Sequence, residues 1–361
     1  MSSNPLHEIP FITTAETVRS LMTLMDRCAL GIVLVVDNQN RLEATITDGD
    51  VRRAVLAGIE LDHPVSRLIE MRRDNPNRRG PVVARLGASA EELCRLMAEF
   101  NVRQIPLLDE EQRVVDIALD SDYTAAASAL PLKGFIMAGG FGKRLMPLTE
   151  KCPKPMLPVN GRPILERLID KLRDAGIQHV SIATHYRAEN IMDHFHDGRD
   201  FGIHIDYVEE DRPMGTAGAL AKASRESFPL LVMNGDILTS IDFRAMLEFH
   251  REHSPAMTVA VRQHDVQIPF GVVTTEGIEA VRIVEKPLVR NFVNAGIYLI
   301  QPDVCRMVPQ DRPYDMPDLI TALLDAQKRV ICFPIHEYWL DIGQFEHYER
   351  AMADTAHGLV E

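Results

Sequence analysis

Residues Phe135–Glu166 read "FIMAGGFGKRLMPLTEKCPKPMLPVNGRPILE". An apolar run, Phe135–Ala138, meets glycines at 139, 140 and 142, then Lys143 and Arg144, then a proline-rich turn carrying Lys154. Glycine lets backbone N–H groups come close to a phosphate. Arg144 and Lys154 bring two cations to one loop region, and Pro153, Pro155 and Pro158 stiffen the lysine-bearing segment. The loop is no dinucleotide fingerprint, because Gly140-Phe141-Gly142-Lys143-Arg144-Leu145 lacks the third glycine. Nor is it a P-loop, since no G-K-[ST] follows. What it predicts is a strand that runs into a site for a phosphate-rich ligand.

From Gly134 onward, apolar strand-like runs alternate with segments of helical period. The strand candidates are "GFIMA", "HVSIAT", "IHIDYV", "PLLVMN", "AMTVAV", "GVVTT", "AGIYLI" and "RVICFPI". Helix-period segments such as "PILERLIDKLRDAG", "AENIMDHFHDG", "AGALAKASRES" and "DFRAMLEFHREHS" lie between several of them. The alternation predicts a mostly parallel, doubly wound, Rossmann-like α/β sheet with helices on both faces. Ligands of such sheets sit beyond the carboxyl ends of the strands, so strand-end residues matter most.

The chain has 361 residues, enough for two domains with separate cores. Its net charge of −13 argues against a general binder of nucleic acid or of membrane surfaces. No apolar run approaches the roughly 20 residues that span a bilayer. The opening "MSSNPLHEIPF" lacks a basic-then-apolar signal, so a cytoplasmic location is expected. The five cysteines, Cys28, Cys94, Cys152, Cys305 and Cys332, form no C-x-x-C pair and read as reduced thiols rather than a zinc site. No lysine precedes Lys133, and "YTAAASALPLK" (Tyr123–Lys133) reads as a connector. We therefore expect one domain over 1–128 and a second over 129–361.

The first domain holds an approximate repeat. Each copy reads as an amphipathic helix, a strand, a polar turn ("DNQN" or "DEEQ"), a second strand and an acidic tripeptide opening a helix. Such halves should pack as a pseudo-two-fold pair. "VDNQNRLEATITDGD" and "VRQIPLLDEEQRVVDIALDSD" resemble a tandem module of CBS (cystathionine β-synthase-type) domains, an α+β pair, over about residues 8–126. In that family a Thr and an Asp shortly after it bind the ribose of an adenine nucleotide. Copy one keeps Thr47 and Asp50; copy two keeps Asp122 but has Leu119 in place of the hydroxyl. The resemblance implies either an adenine or guanine nucleotide at one intact site, or a structural, dimerising module.

The Phe135–Glu166 stretch resembles the signature of sugar-1-phosphate nucleotidyltransferases. The likeness continues in order through "PMGTAGAL" (213–220), "NGD" (234–236), "PFGVV" (269–273), "EKP" (285–287), "VNAGIYLI" (293–300) and "YWLDIGQFEHYERA" (338–351). The implied reaction joins a sugar 1-phosphate to the α-phosphorus of a nucleoside triphosphate and releases pyrophosphate. It needs charge neutralisation and in-line positioning, not an activated side-chain nucleophile. By the family's pattern Arg144 holds the triphosphate, Lys154 bridges phosphates near the reacting centre, and Lys286 holds the sugar phosphate. Asp236 and Asp341 bind Mg²⁺, an ion that favours hard oxygen ligands. Gly139, Gly140 and Gly215 lie against the nucleotide; Gly271, Glu285 and Asn294 contact the sugar. The resemblance also implies a homo-oligomer.

Glu210 stands where uridylyl- and thymidylyltransferases of the family carry Gln. A carboxylate only accepts, which suits guanine's N1–H and N2–H₂ and favours GTP over UTP or dTTP. "EEDRPMGTAGAL" looks most like the mannose-1-phosphate guanylyltransferase branch; solvent exposure of Glu210 beside Glu209 and Asp211 is the alternative. The pairs His194/His196 and His250/His253 have metal-like spacings, but with no third ligand they are expected on solvent-facing helix surfaces. A catalytically inactive, nucleotide-sensing protein is the rival reading. Retention of Arg144, Lys154, Asp236, Lys286 and Asp341 together argues against it.

Overall fold

The computed structural model describes residues 8–28, 30–73, 80–100, 102–122, 129–223 and 228–360. The expected connector therefore lies partly outside the described residues, at 123–128, as does the end of "AGALAKASRES" at 224–227. By their internal contacts the residues divide into two units, Met1–Ser128 and Ala129–Glu361.

The first unit runs β1 (Phe11–Ile12), α1 (Val18–Cys28), β2 (Ile32–Val36), β3 (Leu42–Thr47), α2 (Asp48–Leu56) and α3 (Ser66–Arg73). It then repeats as β4 (Ala84–Arg85), α4 (Ala90–Phe100), β5 (Gln104–Leu108) and β6 (Val114–Leu119). Apolar residues three and four apart give α1 and α4 one buried stripe each, Val18, Leu21 and Met25 in the first, Leu93 and Met97 in the second. Each copy builds a three-stranded sheet in the same order, its first pair parallel and its second antiparallel. The two sheets share a core in which Ile32, Leu34 and Val36 meet Leu108, Val114 and Ile117. The polar turns also meet: Val114 N–H donates to the Asn40 carbonyl (3.0 Å), and Leu42 N–H donates to that of Gln112 (3.3 Å). Asn40 and Gln112, equivalent in the two copies, are both left-handed, with φ of 58° and 65°.

The second unit begins with β7 (Lys133–Met137), β8 (Pro158–Val159), β9 (Arg162–Pro163), α5 (Ile164–Asp174), β10 (His179–Thr184), α6 (Ala188–Phe195) and β11 (His204–Glu209). It continues with α7 (Gly215–Gly218), β12 (Leu230–Asn234), β13 (Ile237–Thr239), α8 (Phe243–His253), β14 (Met257–Gln267), β15 (Val272–Glu276) and β16 (Glu279–Val284). Last come β17 (Leu288–Ile300), α9 (Met316–Asp325), β18 (Val330–Ile335), β19 (Trp339–Asp341) and α10 (Phe345–Ala356). Seven strands form the main sheet in the order β11-β10-β7-β12-β17-β14-β18.

β11, β10, β7 and β12 run parallel, as do β14 and β18. Only β17 is reversed, because it returns along β14 as an antiparallel partner from Gln267↔Leu288 to Met257↔Ile300. "GVVTT" lies outside the main sheet, in a separate hairpin of β15 with β16. Both faces of the main sheet are covered, which accounts for strands that are apolar without interruption. Along β7 and β12 the side chains alternate. Ile136, Leu231 and Met233 face a core with Leu165, Leu168 and Leu172 of α5. Phe135, Leu230 and Val232 face Leu319 and Leu323 of α9.

One expectation is corrected. His250 is not solvent-facing: it falls on the apolar stripe of α8 with Phe243, Met246 and Leu247, and is only 1% exposed. Its Nδ1 lies 2.8 Å from Thr258 Oγ1 and its Nε2 2.9 Å from Gln301 Nε2, while burial pushes its pKa down to about 4. It is a neutral core histidine. His194 is half-buried, with Nε2 2.9 Å from Glu166 Oε2.

Phe135 is 1% exposed on the central strand β7. Phe135→Ala is expected to destabilise the second unit by about 3–5 kcal/mol. Urea unfolding followed by the fluorescence of Trp339, the single tryptophan, measures it.

Candidate active site

The carboxyl ends of β7, β10, β11 and β12 deliver Gly139, His185, Glu210 and Asp236 to one side of the sheet. Gly139 passes so close to β11 that a Cβ there would lie 2.8 Å from Glu210 Oε2 and 3.2 Å from His185 Cβ. A short helical turn after it, Lys143–Leu145, orients Arg144. A second, Lys154–Met156, starts at Pro153 and orients Lys154. Thr149 Oγ1 donates to the Gly142 carbonyl (2.9 Å) and ties the first turn down.

Two short strands then decide the geometry. β12 ends at Asn234 and leads through Gly235 and Asp236 directly into β13. β13 pairs antiparallel with β19, Ile237 opposite Asp341, and Ile342 N–H donates to the Asp236 carbonyl (3.1 Å). The two aspartates, distant in sequence, become neighbours. Lys154 Nζ lies between them, hydrogen-bonded to Asp236 Oδ2 and 3.7 Å from Asp341 Oδ1. The Arg144 guanidinium and Asp341 Oδ1 both lie 3.7 Å from the space above Gly343.

These groups line a cleft of about 340 Å³ together with Gly139, Gly140, Glu210 and Gly215. Gly215 has φ +80°, and a Cβ there would meet the Tyr314 carbonyl at 2.6 Å. The wall behind it is fastened by Asp315, which caps α9 and accepts from Thr216 N–H (2.8 Å). Sequence reading passed over Asp315, His185 and Phe141. The D-x-x-D spacing of Asp315 and Asp318 ahead of an apolar helix was the available signal for the first.

The cleft holds three buried carboxylate oxygens without a hydrogen-bond partner: Asp236 Oδ1, Asp341 Oδ1 and Glu210 Oε1. Burial pushes the Asp341 carboxyl above the usual range and the Asp236 charge adds to it, against the pull of Lys154, Arg144 and His347. Burial likewise raises Glu210, against His185 and Lys222. Unpaired buried acceptors are costly. Two of them on adjacent aspartates form a hard-oxygen donor set that fits a divalent cation.

The remaining expected residues lie elsewhere. Gly271, Glu285 and Lys286 sit on an exposed arm formed by the outer ends of β14 and β17 and the β15–β16 hairpin. A Cβ on Gly271 would lie 2.9 Å from Glu285 Oε2, and Lys286 N–H donates to the Phe270 carbonyl (3.2 Å). Asn294 marks the arm's root, its Oδ1 accepting from Gly296 N–H (3.0 Å). Trp339 Nε1–H, donating to the Ala295 carbonyl (2.9 Å), fixes that root to β19. In the first unit Asp50 Oδ2 accepts from Thr47 Oγ1 (2.8 Å) and Thr47 N–H (3.0 Å), and Asp50 Oδ1 accepts from Arg53 (3.1 Å). Asp122 accepts from Leu119 N–H (3.2 Å).

The family model described as nucleotidyl transferase matches residues 133–358. The chain belongs to the nucleotidyl transferase family. A CBS domain model matches residues 76–128, the second repeat of the first unit. A mannose-1-phosphate guanylyltransferase of Mycobacterium tuberculosis is 34% identical over 231 residues, covering 62% of this chain and 64% of that protein. A mannose-1-phosphate guanyltransferase of Saccharomyces cerevisiae is 31% identical over 225 residues, covering 59% and 62%. The match thus spans less than two thirds of either relative. Among solved structures, HddC from Yersinia pseudotuberculosis, also seen complexed with GMP-PN, aligns with a TM-score of 0.50. It shares 26% identity and covers 62% of this chain and 99% of that one. No helix among the described residues is long and apolar enough to cross a membrane.

Asp341 yields a test of the cleft's electrostatics. Its pKa is higher folded than unfolded, so between the two values the native state holds more protons and stability falls as pH rises. Asp341→Asn removes that loss. In EDTA-treated protein the variant should melt above wild type at pH 8, with the gap closing as pH falls toward 4, in paired thermal scans.

Proposed function

We propose that the Ala129–Glu361 unit transfers GMP from GTP to a sugar 1-phosphate and releases pyrophosphate. The observation that carries this reading is the pair Asp236 and Asp341, set side by side with Lys154 between them and Arg144 beside them. A phosphate oxygen of the sugar 1-phosphate attacks the α-phosphorus of GTP. The bond from that phosphorus to the bridging oxygen breaks, and pyrophosphate carries away the electron pair. Magnesium, held by Asp236 and Asp341, supplies Lewis-acid charge to phosphate oxygens when bound. Arg144 neutralises the leaving phosphates and Lys154 sets an ammonium at the reacting centre. The Gly139-Gly140 backbone lets the triphosphate approach, Gly140 having open space where a Cβ would stand. Lys286, Glu285, Gly271 and Asn294 receive the sugar phosphate from the arm.

Glu210 reads the base. Its Oε1 is buried and unpaired at the cleft wall, an acceptor for guanine N1–H and N2–H₂. The names of the two relatives above agree with guanosine and put mannose 1-phosphate first among the sugars to test. The first unit we assign a structural or dimerising role in a homo-oligomer, since hydrogen bonds within its own helix start already use both oxygens of Asp50. The five free cysteines suit a reducing, cytoplasmic compartment.

Pyrophosphate release from four nucleoside triphosphates against a panel of sugar 1-phosphates tests the assignment; no turnover with any pair would refute it. Asp236→Asn should lower kcat by about a hundredfold or more with the fold intact by circular dichroism. Glu210→Gln should cut the preference for GTP over UTP by about tenfold. An unchanged ratio of kcat/KM values would remove Glu210 as the base reader.

A further inference from the structure

The outward face of α5, with Arg162 just ahead of it in β9, carries cations that the proposed reaction leaves idle. Arg162 is neutralised by Glu166 (2.9 Å) and by Asp170. Arg173 is neutralised by Asp170 (2.6 Å) and Asp174 (2.7 Å). Between them on the helix stand Arg167 and Lys171, one turn apart. Neither forms an ion pair among the described residues; the charges of Glu166 and Asp170 favour the Arg167 cation from a greater distance, against its burial and the neighbouring Arg162. The one polar contact of Arg167 is from Nη2 to the Val159 carbonyl (2.8 Å), and its Nε is buried with no partner. Like charges at this spacing repel along a helix, and a buried N–H without an acceptor adds to the cost. An anion between the two groups relieves both.

The room for one is present. Arg167 and Lys171 open into a cavity of about 420 Å³ that Thr239, Ser240, Leu359 and Val360 also line. Four cations and only two carboxylates line it, on a chain whose net charge is −13. None of its lining residues is shared with the catalytic cleft, and the strand β13 that follows Asp236 forms its wall. The two idle charges match a phosphate dianion, which an Arg fork and a Lys point charge hold well. The apolar lining, Leu168, Ile237 and Leu238, leaves space for an organic group on that phosphate.

We propose that this cavity is a second, non-catalytic binding site for a phosphate-bearing ligand, whose phosphate sits between Arg167 and Lys171. The test is site-resolved labelling of lysines by an amine-reactive reagent on the full chain, read by mass spectrometry at matched ionic strength. Inorganic phosphate, pyrophosphate, GMP and mannose 1-phosphate are compared with chloride. At least one phosphate compound should slow modification of Lys171 by about threefold or more while leaving exposed Lys328 unchanged. Slowing by inorganic phosphate or pyrophosphate names a free anion as the ligand; slowing only by an ester names the organic phosphate. Arg167→Gln should abolish the effect, and Arg167→Lys should keep part of it. Protection of Lys154 without Lys171 would confine phosphate to the catalytic cleft and overturn the proposal. So would equal protection of Lys171 in a folded Arg167→Gln protein.

Discussion

The catalytic cleft depends on a three-residue strand pairing. β13 and β19 are short, yet their register sets Ile237 opposite Asp341 and brings that aspartate beside Asp236. Two carboxylates brought together in a half-buried cleft repel, and burial with the Asp236 charge holds the Asp341 carboxyl above its usual range. Lys154 offsets part of that repulsion, and Asp236 Oδ1 and Asp341 Oδ1 remain without hydrogen-bond partners. Much of the surrounding structure serves to hold that pair. Trp339 fastens β19 to the root of the arm, and Leu238, Leu340 and Ile342 bury the back of the pairing in a core with Leu145 and Leu157. The same apolar cluster thus anchors the two loops that present Arg144 and Lys154.

The cleft is built from elements of unequal rigidity. Its nucleotide side stands on the parallel strands β7, β10, β11 and β12, buried on both faces by separate cores. The arm that we propose for the sugar is far less buried: Phe270 is 72% exposed and Ile283 70%. Stability is lowest where few apolar contacts are buried, and ligand-binding parts are commonly drawn from that end. A well-buried floor with a lightly anchored arm fits the proposed reaction, which binds two polyanions and releases two others.

Much of this was legible in the sequence because much of it is local. Helical stripes such as Leu165, Leu168, Ile169 and Leu172, and apolar runs such as "PLLVMN", follow from periods of 3.6 and 2, which any window of residues displays. The glycine–arginine–lysine loop points to phosphate for the same reason: its donors lie close together in the chain. The repeat in the first unit was visible as repeated composition. Legibility failed where an outcome depended on partners far away. His250 reads as polar but is fitted between Thr258 and Gln301. β17 reads like any other strand, yet within the main sheet it alone runs against the others.

The sequence by itself determined the α/β architecture of the second unit, the doubled motif of the first, and the clustering of glycine and cationic residues in the loop after β7. These follow from periodicity, turn chemistry and the charge each residue type carries. Only the tertiary structure decided which groups meet. It set Asp341 against Asp236, left Glu210 Oε1 without a partner, and separated Lys286 and Glu285 from the cleft on an exposed arm. The physical reason is that register between distant strands, and the desolvation it imposes, are properties of the assembled sheet. No short stretch of the chain contains them.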